Sequence, residues 1–130
     1  MRLLIDTHIF IWAVTWPDRL QPRLHEAILA PRNTILVSAA SVWEIAIKRS
    51  LRRLTFPLER LDAVLEEAGF RHLPITASHA IEVGGLPRHH TDPFDRMLVA
   101  QACVDDLLLA SDDPLMAAYA VRLFERDGGE

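Results

Sequence analysis

His89-His90-Thr91-Asp92-Pro93-Phe94-Asp95-Arg96-Met97-Leu98-Val99-Ala100-Gln101-Ala102 reads as the opening of a helix whose first turn is loaded with carboxylates. Asp92 before Pro93 has the form of an N-cap followed by proline at the first helical position, which places Asp95 in the first turn. The two acids are three apart and share one face. Met97, Leu98 and Ala102 supply an apolar side that predicts packing against a sheet. Acids at a helix start are also favoured by the helix dipole without any chemistry. Three further acids in equivalent places, each between an apolar run and a helical pattern, shift the balance towards a shared site.

Working outward, Arg2 to Asp6 has the length of a buried strand, and Thr7 to about Trp16 reads as a helix ended by Pro17. Pro22 to Ala30 is a second helical segment, and Thr34 to Ser38 a second strand. In the helix that follows, Ala39, Val42, Trp43, Ala46, Ile47, Ser50, Leu51 and Leu54 recur at three- and four-residue steps and predict the buried face, with Glu44 off that stripe. Pro57 to Ala68 reads as a helix stopped by Gly69, Phe70 to Ile75 as a weaker strand, and Thr76 as the cap of another helix, whose pattern Gly84-Gly85 and Pro87 break on the way into the loop before Asp92. Leu107 to Ala110 is a compact strand, Pro114 to Tyr119 a short helix, and Val121 to Phe124 an edge strand candidate. Strands separated by helices predict an α/β sandwich: a mostly parallel sheet of about four or five strands, covered on both faces, in one domain over 1–130.

The chain has 130 residues, half of them hydrophobic, and a net charge of −4. That is enough for one core, and no apolar run approaches the roughly 20 residues of a membrane span, so a cytoplasmic protein without a membrane partner is expected. Cys103 is the only cysteine, which excludes an internal disulfide and a cysteine-rich zinc site. The charge does not suggest nucleic-acid binding in bulk, but Lys48, Arg49, Arg52 and Arg53 form one basic cluster and Arg88, His89 and His90 another.

In such sheets ligands collect at the carboxyl ends of strands. Asp6 falls there after the first strand, and Asp112 and Asp113 after Leu107 to Ala110, while Glu44 and Asp95 lie in early turns of helices that can reach the same edge. Individually each acid could be a cap or an ion-pair partner; Glu44, for instance, could pair with Lys48 four residues on. Together they predict a cluster that needs cations to stay ionised. All-oxygen ligation suits Mg²⁺ or Mn²⁺ over zinc, and metal-assisted phosphodiester hydrolysis is the natural chemistry. Thr7 and Ser111 could orient ligands or water, and His90 is near enough to contact a substrate.

Leu4-Ile5-Asp6-Thr7-His8, Val37-Ser38-Ala39-Ala40-Ser41-Val42-Trp43-Glu44-Ile45, His90 to Ala102, and Leu109-Ala110-Ser111-Asp112-Asp113 resemble the ordered motifs of PIN-domain proteins, and most closely the VapC toxins. The resemblance implies a PIN-like three-layer fold and a Mg²⁺- or Mn²⁺-dependent endoribonuclease of a type II toxin–antitoxin pair. A cognate VapB-like antitoxin and a homodimer come with it. Carried over position by position, the metal-binding and catalytic acids fall on Asp6, Glu44 and Asp95, with Asp113 favoured over adjacent Asp112 as the fourth. Asp92, Thr7, Ser111 and Asp112 take supporting places. Lys48, Arg49 and His90 are candidate RNA contacts, and Arg96 either meets a phosphate or pairs with a ligand carboxylate. The competing readings are a phosphohydrolase acting on DNA or a small phosphate ester, and a non-catalytic interaction module whose acids are caps.

Overall fold

The computed structural model describes residues 1–89 and 91–124. The elements run β1 (Arg2–Ile5), α1 (Thr7–Thr15), α2 (Pro22–Leu29), β2 (Thr34–Ser38), α3 (Ala39–Ser50), α4 (Leu61–Ala68), β3 (Phe70–Leu73), α5 (Ala77–Gly85), α6 (Pro93–Asp105) and β4 (Leu108–Ala110). Short 3₁₀ turns cover Pro17–Arg19, Leu58–Arg60 and Pro114–Ala118. Among the described residues the sheet has four strands in the order β3-β2-β1-β4, and every pairing is parallel. The sequence reading of a parallel α/β sandwich therefore holds.

Alternation along β1 shows why both faces are covered. Leu3 and Ile5 join Phe10, Leu24, Ile28, Leu65 and Phe70 on one side, whereas Leu4 joins Leu98, Val99, Leu109 and Met116 on the other. Leu3, Leu4 and Ile5 are fully buried, each contributing on the order of 1.5–3 kcal/mol. Helix α3 serves both layers, giving Ile45 to the first and Ala40 to the second.

Local expectations fared unevenly. Asp92 caps α6 as read, its Oδ1 accepting from the N–H groups of Phe94 (2.9 Å) and Asp95 (3.2 Å). Gly69 ends α4 in the left-handed region at φ 76°, and Thr76 closes a capping box with His79. Helix α5, which packs along α6, ends at Gly85 with Leu86 as its cap, so the break read at Gly84-Gly85 and Pro87 falls where the sequence placed it. Val121 to Phe124 forms a single parallel bridge, Leu109 to Leu123, at the β4 edge.

The largest departure is the face of α3. Ala40, Ser41, Glu44 and Ile45 are buried, whereas Trp43 and Leu51 from the predicted buried stripe are 60% and 58% exposed. The helix starts directly from the sheet edge at Ser38, whose Oγ caps it by accepting from Ala40 N (2.9 Å). That start fixes the rotation of the helix, and the polar face turns inward because it has partners there.

Candidate functional site

Register brings the site together. Ile5 lies opposite Val37 on one side and Ala110 on the other, so Ser38, the last residue of β2, stands level with Asp6 and Ser111, which follow β1 and β4 at the carboxyl edge. The Asp6 N–H bonds to Ala110 O (2.9 Å), and its side chain caps α1 by accepting from Ile9 N (2.8 Å). Its other oxygen lies 3.4 Å from Asp112 N. Burial raises the Asp6 pKa to about 6, against the pull of the Ile9 N–H and the Ser111 hydroxyl.

Glu44 reaches this edge from the inward face of α3. The Thr7 hydroxyl lies 2.7 Å from Glu44 Oε1 and 2.9 Å from Ser41 Oγ. With one proton to give, Thr7 donates to the carboxylate and accepts from Ser41. Lys48 Nζ sits 3.0 Å from Glu44 Oε2, so both oxygens of this buried acid are partnered.

Asp95 is where the acids press on one another. Its pKa is raised to about 7 by burial and then by the charges of Asp92, Asp6, Glu44 and Asp113. Asp113, the favoured fourth acid, thus acts on Asp95, while adjacent Asp112 acts on Asp6. Asp113 also caps the Pro114–Ala118 turn through Leu115 N (2.9 Å), and its own N–H donates to Ser111 Oγ (3.1 Å). Four acids from four separate segments therefore meet electrostatically at one sheet edge.

A family model described as PIN domain matches residues 3–121. The chain belongs to the PIN-domain family. Solved structures agree on the fold. A VapBC2 complex from Rickettsia felis bound to a promoter DNA fragment matches with a TM-score of 0.70 at 16% identity, over 95% of this chain and 96% of that one. DNA-bound VapBC from Salmonella typhimurium matches over the same shares with a TM-score of 0.67 at 16% identity. VapBC-1 from nontypeable Haemophilus influenzae follows at 0.62 and 17%, over 91% of each chain. At these identities the likeness speaks to the fold. No curated protein sequence matches the chain.

PIN-domain nucleases generally use divalent metals, and the donor set of this PIN domain fits one in kind: oxygen ligands only, crowded enough to hold protons near neutrality. Among the described residues, no three carboxylate or imidazole groups converge closely enough to enclose an ion as they stand. Asp6, Glu44, Asp95 and Asp113 are the residues that could hold it, with Glu44 first loosening Lys48.

The other candidates are placed differently. Arg96 is buried and directs its guanidinium to the carbonyl oxygens of Pro87 (2.7 Å), Val83 (3.1 Å) and Leu86 (3.3 Å), and to the Tyr119 hydroxyl (3.4 Å). Arg49 pairs with Glu59 and donates to Phe56 O (3.0 Å). His90 lies outside the described residues. His8 Nδ1 is 3.9 Å from Asp112 Oδ1, and the His89 ring meets Tyr119 edge-on at 4.8 Å.

Sequence reasoning passed over Ser38 and Gln101. The buried Ser38 hydroxyl donates to Gln101 Oε1 (2.6 Å), and Gln101 Nε2 donates to Pro74 O (3.3 Å). This pair fixes α6, and so Asp95, against the strand that launches α3. A lone glutamine inside an apolar helical run is the signal that would have found it, since a buried amide needs partners.

Proposed function

We propose that this PIN domain is the toxin of a VapBC-like toxin–antitoxin pair and a Mg²⁺- or Mn²⁺-dependent endoribonuclease. The observation that carries the reading is the acid cluster: Asp95, pushed up to about 7 first by burial and then by the charges of Asp92, Asp6, Glu44 and Asp113, is a carboxylate that a divalent cation would hold ionised. When bound, the metal supplies an activated water and charge neutralisation at a phosphodiester. The chain's own residues prepare for it. Thr7 and Ser41 orient the Glu44 carboxylate, the Ile9 N–H fixes Asp6, and Ser111 positions the turn that carries Asp113.

A protein partner is supported by the outward face of α3. Trp43, Ile47 and Leu51 are exposed in sequence along it, and Phe94 packs edge-on against Trp43 at 5.1 Å. An open groove of about 440 Å³ is lined by Ile47, Leu51 and Phe94 together with the charged Glu44, Lys48, Arg53 and Asp92. An antitoxin segment seated there would lie directly against the acids. The VapBC complexes among the structural neighbours favour that partner. The same contiguous apolar surface is available to a second copy in a homodimer.

The experiment is cleavage of labelled single-stranded RNA, and of DNA of identical sequence, with Mg²⁺, with Mn²⁺ and with chelator. RNA cut only in the presence of metal is expected. Cleavage of DNA in preference to RNA would transfer the site to a DNA phosphohydrolase. No cleavage of any substrate, together with no metal binding, would leave the interaction module.

A further inference from the structure

A second cavity is bounded by α1, the Pro17–Arg19 turn, the start of α2 and the end of β4. It encloses about 190 Å³, below the roughly 300–1,000 Å³ of a site for a drug-sized ligand and of a size for one flat ring system. Its floor is apolar, from Ile9 and Leu24, and one wall is Trp12. Its rim holds Arg19, Ser111 and Asp112, the last two being the residues that follow β4 into the acid cluster.

Arg19 is unusual in what it touches. Its guanidinium lies 4.8 Å from the Trp12 ring centroid and 5.2 Å from that of Trp16, itself 57% exposed. Among the described residues the guanidinium meets aromatic rings and no carboxylate. An arginine held on indole faces is preset as a flat, cationic stacking surface in a cavity whose other polar lining is Gln21, Ser111 and Asp112.

We propose that this cavity receives the base of a nucleotide flanking the scissile phosphate, stacked against Trp12 and the Arg19 guanidinium, with its edge towards Ser111 and Asp112. The proposal rests on the ribonuclease reading and extends it to substrate choice. Stacking between aromatic and guanidinium planes is how single-stranded RNA is gripped base by base. Asp112 is an acceptor-only group when ionised, so it favours an edge that presents N–H donors. Guanine offers two adjacent ones, N1–H and N2–H, and is the base that the pocket should prefer. Because Ser111 and Asp112 line the cavity and also contact Asp6 and Asp113, the cavity adjoins the acid edge.

Two measurements test this. Once the cut is mapped, each nucleotide flanking it is replaced by the other three bases and by an abasic residue. One position is expected where the abasic change lowers kcat/KM by roughly 5- to 150-fold, the range that one stacked base supplies. That penalty should shrink towards unity in Arg19→Ala, an exposed position whose change leaves the core intact, and Arg19→Lys should not restore it. Independently of cleavage, the Trp16→Phe/Trp43→Phe variant leaves Trp12 as the only indole. Its fluorescence, followed in chelator, should be quenched by guanosine-containing RNA and not by the abasic oligonucleotide. Normal cleavage with no position sensitive to base removal, or no Trp12 quenching by either RNA, overturns the pocket and leaves the nuclease reading standing. Quenching without cleavage under any metal condition overturns the nuclease reading and keeps base binding.

Discussion

Asp95→Asn is expected to abolish metal-dependent RNA cleavage and, in the same protein, to raise the thermal midpoint of the metal-free form at pH 8. Loss of a ligand acid should cost more than the ~10–100-fold typical of groups that only support ligands. The gain in stability follows from the direction of the pKa shift. The unfolded carboxyl titrates near 3.8 and the folded one near 7. Between those values the folded state keeps a proton that the unfolded chain has lost, so stability falls as pH rises from 3.8 to about 7 and is level above. Asparagine resembles the protonated acid in shape and charge and escapes that penalty. The variant should therefore melt a few degrees higher than wild type at pH 8, by less at pH 5, and equally near pH 4. Thermal melts at the three pH values, run in chelator, check it. A variant that melts lower at pH 8 would mean that Asp95 is held by favourable partners and not crowded by acids.

Arg96→Met is expected to destabilise the fold by about 3 kcal/mol or more while leaving the acids in place. Methionine keeps the apolar stem but removes a guanidinium that serves three backbone carbonyls and the Tyr119 hydroxyl. Hydrogen bonds to a charged donor contribute about 1.5–3 kcal/mol each and do not add fully, and the abandoned carbonyls lose their partner in a partly dry place. These bonds tie the C-terminal end of α5 and the Leu86–Pro87 turn to the first turn of α6, next to Asp95. Urea unfolding should show a lower midpoint with an unchanged slope. A loss below 1 kcal/mol, with a large fall in RNA binding, would return Arg96 to the phosphate contact that its sequence position suggests.

The residues whose placement read correctly from the sequence are those positioned by local chemistry. Asp92-Pro93 announces a helix start through its own backbone chemistry, and Asp6 and Asp113 stand one to three residues beyond short apolar runs of strand length. Parallel pairing with matched ends then gathers them at one edge. What did not read correctly depends on distant partners. Trp43, Ile47 and Leu51 have the spacing of a core stripe, yet the rotation of α3 is set by Ser38 at its cap and by Thr7, which draws Glu44 inward from another helix. Arg49 read as an RNA contact, and Arg96 as the partner of a phosphate or a ligand carboxylate, because their acceptors in the structure, Glu59 and backbone carbonyls, are not visible in a local pattern. Ser38 and Gln101 meet across 63 residues, and neither has a local motif to mark it.

The most direct test is calorimetric titration of Mn²⁺ into wild type and Asp95→Asn at pH 6.5 in two buffers of different ionisation enthalpy. Coordination must displace the protons that Asp95 and Asp6 hold near that pH, so binding to wild type should release protons and tighten as pH rises to 8, and Asp95→Asn should bind far more weakly. Equal binding by both proteins, or binding to wild type without proton release, would contradict a metal site built on these acids.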